Sequence, residues 1–209
     1  MPSISARSFA EMINMPMYEQ IRILHEQKFP KKVPNIFKIP YYRPALESIK
    51  KYYRNNRNQQ IINQAIISIP QRIHNSIKAD HNIRILTAFR GSPQSRRQLT
   101  LKPQNYLHAN PHRNVTLRLS FDLEATERND NVLIFYNFRN VPIDKKIAED
   151  TIQIAYWIIL QHRIGISISE IEYVDLKLNK IYCVKRPSAR IFRKITQYAQ
   201  IVNNNWSSI

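Results

Sequence analysis

The chain predicts an α/β fold, and three features predict it. The first third carries apolar residues at helical spacing. The middle holds two short apolar runs of strand character, the first strictly alternating. The last third gives a long amphipathic stretch, two short apolar runs and a closing amphipathic stretch.

The elements follow in order. Ser8 caps a helix from about Phe9, with Glu11 placed as in a capping box, and Pro16 breaks or kinks it. Tyr18 to Phe29 repeats Ile21, Leu24 and His25 at helical spacing, and Pro30, Pro34 and Pro40 make the next stretch an extended connection. Pro44 suits the first turn of a helix whose stripe is Ala45, Leu46, Ile49, Tyr52 and Tyr53. Further helices are expected over about 59–69 and 80–89, and residues 91–114 read as a basic loop. Val115, Leu117, Leu119 and Phe121 alternate with polar residues, and Val132 to Phe138 is a second apolar run. The two are expected to form a hairpin. A helix follows from Pro142 or Asp144 to about Arg163, then strands over 171–178 and 180–184. The closing helix runs from Pro187 or Ser188 to about Trp206. The expected organisation is a helical region over 1–79 and an α/β core over 80–209, with no Gly/Ser linker to mark the boundary.

Charge is the strongest functional signal. Lys and Arg number 32 against 15 Asp and Glu, a formal charge of +17. The charges are also segregated. No acid occurs from His81 to Phe121, where Arg84, Arg90, Arg96, Arg97, Lys102, Arg113 and Arg118 stand. None occurs beyond Asp175, where Lys177, Lys180, Lys185, Arg186, Arg190, Arg193 and Lys194 stand. Segregated charge makes a positive surface field, so the expected partner is a polyanion, DNA or RNA. Arg90, Arg96, Arg97, Lys102 and Arg113 are candidate phosphate contacts, because Arg pairs bidentately with phosphate. Lys50, Lys51 and Arg54 interleave with Tyr41, Tyr42, Tyr52 and Tyr53, a pattern that either stacks single-stranded bases or packs a helix interface.

Other classes are set aside by composition. No run approaches about 18 apolar residues, so no membrane span is expected. Residues 1–9 lack a basic start followed by an apolar run, so no secretory signal is expected. Cys183 is the only cysteine, which excludes an intrachain disulfide and a cysteine-rich zinc site. A cytoplasmic protein is expected. Two glycines could scarcely build a phosphate-cradling loop.

The predicted order of helices, hairpin, long helix, strand and closing helix resembles the core of the PD-(D/E)XK nuclease superfamily, over about residues 80–185. The resemblance implies a restriction-endonuclease-like mixed sheet flanked by helices. It also implies Mg²⁺ held by carboxylates on two neighbouring strands, with a lysine positioning water. The first acid would be Asp122, in Ser120-Phe121-Asp122-Leu123, and Glu124 shares its strand face as an auxiliary ligand or a solvent-facing neighbour. Asn137 and Arg139 stand where the second carboxylate and the lysine belong. Gln153 and Tyr156 make a Gln-x-x-Tyr on the next helix, one residue short of the RecB-type spacing. Asn is a poorer Mg²⁺ ligand and Arg cannot act as a base, so phosphate contact survives where catalysis weakens.

A literal acid-x-Lys occurs later, as Asp175-Leu176-Lys177 after Glu170 and Glu172; it reads first as solvated charge at a turn. His108 and His112 are four apart with no carboxylate or thiolate close in sequence, which suits polar loop residues or phosphate contacts better than zinc. The expected function is nucleic-acid binding on a nuclease-like fold with little or no hydrolysis. The rivals are an active metal-dependent nuclease, with Mg²⁺ as its cofactor, and a basic subunit of an antiviral-defence or ribonucleoprotein assembly. Such a subunit would dock a protein partner or a second copy of the chain.

Overall fold

The strand Asp130–Asn137 is apolar on both faces, and both faces are covered. A strand buried on two sides belongs in the middle of a sheet. A computed structural model describes residues 1–30 and 41–209, so most of the extended connection expected after Pro30 lies outside the described residues.

In chain order the strands are β1 (Ser3–Ser5), β2 (Thr100–Leu101), β3 (Leu107–His112), β4 (Val115–Leu119), β5 (Leu123–Glu127), β6 (Asp130–Asn137), β7 (Ile171–Asp175) and β8 (Lys180–Cys183). The helices are α1 (Ala6–Met12), α2 (Met17–Lys28), α3 (Arg43–Arg54), α4 (Gln59–Arg72), α5 (Ser76–Gly91), α6 (Lys145–Gln161) and α7 (Ala189–Ser208). The main sheet runs β2-β5-β6-β7-β8 and a smaller one runs β1-β4-β3. β5 and β6 form an antiparallel hairpin with Leu123 opposite Ile134. Its two-residue turn, Arg128 and Asn129, has φ of 51° and 75°, the left-handed backbone that matches strand twist. β6 and β7 are parallel, joined through α6, with Asn137 opposite Asp175. The sheet is therefore mixed, within an α/β fold.

Helices cover both faces. Leu133, Phe135 and Tyr173 pack with Phe9 of α1, Ile152 and Ile159 of α6, and Ile195 of α7; the small sheet adds Val115 and Leu117. Ile134, Tyr136 and Val174 pack with Ile49 and Tyr52 of α3, Ile62 of α4 and Phe89 of α5. Fully burying one such side chain contributes about 2–3 kcal/mol. The helical region expected over 1–79 thus divides between the two faces, and α3 and α4 share a core with the sheet.

Several expectations are corrected. Residues 91–114 are not a loop throughout, since they contain β2 and β3. β3 tolerates Pro111 because it is an edge strand, and its pairing shifts between Ala109 and His112. β6 pairs with β5, while β4 joins β1 and β3. Ser5 caps α1, accepting from Ser8 N at 3.1 Å. α4 continues through Pro70 to Arg72. Among the described residues, no helix is long and apolar enough to cross a membrane.

Candidate functional site

α1 sets the geometry around Asp122. Arg7 and Glu11 are four apart and project to one side of this short helix. Arg7 Nη2 donates to Asp122 Oδ2, and its guanidinium lies 4.7 Å from the Phe135 ring centre and 5.7 Å from that of Tyr173. Burial pulls the Arg7 pKa down, and the Asp122 charge and hydrogen bond, together with the nearby Tyr173 and Tyr42, more than offset it, leaving the group above its ordinary value. Asp122 Oδ2 also accepts from Tyr136 N at 2.7 Å. Glu11 pairs with Arg139 at 2.6 Å. One helix therefore engages two of the residues the nuclease resemblance singles out.

The third is engaged elsewhere. Asn137 Nδ2 donates to Asp175 Oδ2 at 3.0 Å and to Val141 O at 2.8 Å, and its Oδ1 accepts from Arg139 N at 3.1 Å. Asp175 is fully buried. It accepts from Ile143 N at 2.8 Å, Lys177 N at 2.9 Å and Leu178 N at 3.0 Å besides Asn137, which fills its lone-pair positions. The reading of Asp175 as a solvated turn charge is thus corrected: it holds two chain segments together. Glu124 is likewise neither solvent-facing nor free. It is buried and accepts from Asn105 N and Nδ2, each at 2.7 Å.

These residues do not fit Mg²⁺. Asp122 is neutralised by Arg7, and the Asn137 amide donates where a ligand must accept. Among the described residues no three of His, Cys, Asp and Glu converge as a metal-ligand set. Gln153 accepts from Ser188 N at 3.0 Å, and Tyr156 is half-buried against the α6 core. His162 Nε2 lies 2.7 Å from the His108 carbonyl.

No family model, curated protein or solved structure matches the chain.

The cations differ sharply in their surroundings. Arg97, predicted as a phosphate contact, is instead a structural clamp. It bonds Glu127 at 2.6 Å and Glu172 at 2.5 Å, joining β5 to β7 across the sheet. These bonds hold Glu127 below the usual carboxylate range. Arg96, Lys51, Arg54 and Arg113 are exposed. Arg90 is exposed and touches Asn63, and Lys102 reaches Asn131. Lys50 is half-buried beside Glu47 and Gln104. Tyr52 and Tyr53 are buried, donating to Ser95 O and Gln94 O, so they belong to the helix interface and offer no stacking surface.

A basic cleft of about 410 Å³ lies between the first turns of α6 and the β8–α7 junction, beyond every residue the sequence reading named as a site except Gln153. Lys146, Lys185, Arg186, Arg190 and Lys194 line it. The available signal was the i, i+4 spacing of Arg190 and Lys194 in a segment free of acids.

Proposed function

We propose that this protein binds nucleic acid through the phosphate backbone and does not hydrolyse it. One observation carries the reading. Of the fourteen cations in the two acid-free segments, only Arg97 pairs with a carboxylate among the described residues. All of them except Arg97 and Lys194 are exposed. Five of the 15 acids, Asp122, Glu124, Glu127, Glu172 and Asp175, are committed to partners inside the fold. What faces water is thus more positive than the net charge alone conveys, and phosphate neutralisation is what such a field favours.

The Arg7–Asp122 pair supports the absence of hydrolysis. A guanidinium on the one carboxylate available to the expected motif opposes divalent-cation binding by charge and by position. The test is fluorescence anisotropy with labelled DNA and RNA oligonucleotides, single-stranded and duplex, followed by gel analysis of the same mixtures with Mg²⁺ or Mn²⁺. Binding with intact oligonucleotide is expected. Failure to bind any of them overturns the reading, and cleavage abolished by Asp122→Ala overturns its second half.

A further inference from the structure

We infer that the cleft between α6 and the β8–α7 junction is the principal seat for the nucleic-acid phosphates. The inference rests on the nucleic-acid reading above and adds a location to it.

Five cations face this cleft and none has a carboxylate within ion-pair distance among the described residues. Its two acids are drawn elsewhere. Glu149 lies 3.7 Å from Lys145, and Asp150 accepts from Asn14 Nδ2 at 2.9 Å. The cations are held on packed structure. Gln153, itself buried, accepts from Ser188 N and donates to Arg186 O at 3.4 Å, fixing the chain that presents Lys185 and Arg186. Ile191, Ile195, Ala199 and Val202 are the buried residues of α7 and anchor it, and Arg190 and Lys194 stand one helical turn apart on it. Five cations against two acids leave the cleft with excess positive charge, and an external anion relieves the resulting repulsion.

The cleft volume suits a nucleotide-sized group. A polymer is the occupant proposed, because Lys177, Lys180 and Arg193 of the same acid-free segment are also exposed and a polyanion can meet more than one group of cations. Arginines there can grip phosphate oxygens bidentately.

The experiment compares Arg186→Glu/Arg190→Glu with Arg43→Glu/Arg72→Glu, an equal charge change on α3 and α4, for binding of a labelled duplex. The cleft variant is expected to lose about tenfold or more in affinity, and its salt slope to shallow by about 1.8 for two phosphates released. The control is expected to lose less than about threefold, through the general field alone. Circular dichroism checks folding, and Arg186→Gln/Arg190→Gln replaces the reversal if that variant misfolds. Wild-type-like binding by the cleft variant, or an equal loss in the control, overturns the location while leaving the function standing. A wild type that binds no oligonucleotide removes the function itself.

Discussion

The Arg7 guanidinium meets the Asp122 carboxylate across 115 positions of sequence. The pair lies over the Phe135 and Tyr173 rings, where water is scarce, and ties α1 to the start of β5. It converts a residue that resembles a metal ligand into a fixed internal counter-ion.

Arg7→Ala should therefore destabilise the fold by about 3 kcal/mol, since it leaves a buried carboxylate without its partner. Asp122→Asn in the same background should recover part of the loss. Urea unfolding measures both. A loss under about 1 kcal/mol would mean that the pair is solvated.

Arg97→Ala should cost about 2–3 kcal/mol, while Arg96→Ala should cost almost nothing, although the two are adjacent. The Arg97 contribution should depend on pH. Hydrogen bonds from Arg97 depress the Glu127 pKa in the folded state. The resulting stability is present above the ordinary carboxylate pKa and is lost as pH falls through the depressed folded value. Thermal melts of wild type and Arg97→Ala should converge in strong acid. A constant gap down the acid range would contradict the clamp.

Tyr136 carries a buried hydroxyl with no hydrogen-bond partner among the described residues. Burial holds its pKa well above the phenol range, and the neighbouring Tyr53 hydroxyl donates to Gln94 O at 2.6 Å. Tyr136→Phe removes a desolvated polar atom and keeps the ring. Stability should stay level or rise by up to about 1 kcal/mol. A loss of more than about 1 kcal/mol would reveal a partner for the hydroxyl.

Asn137→Glu with Arg139→Lys restores the motif residues of the nuclease resemblance, yet it should not create a Mg²⁺ site while Arg7 neutralises Asp122. Calorimetry should show no Mg²⁺ binding by this double variant. Micromolar binding would contradict the claim that Arg7 controls the position.

How much of this was legible in sequence depended on whether the deciding contacts were local. The α3 stripe was readable because Ala45, Leu46, Ile49, Tyr52 and Tyr53 are all buried at helical spacing. The two long late helices were readable for the same reason. β5 was not, because Glu124 and Glu127 make it look polar, and their partners Asn105 and Arg97 lie 19 and 30 positions away. The same distance hid the clamp: an acid-free run around Arg97 says nothing about Glu172, 75 residues on. Asp122, Asn137 and Asp175 could be named as chemically notable, but their partners are set by strand register, which pairs Asn137 with Asp175.

The most direct test of nucleic-acid binding is the affinity of the wild type for a short duplex as a function of salt. The log of the binding constant should fall linearly with the log of salt concentration, with a slope near −0.9 for each phosphate neutralised. Three or more phosphates, a number that the exposed cations readily meet, predict a slope steeper than about −2.7. A flat dependence, or no binding even at low salt, would contradict the account.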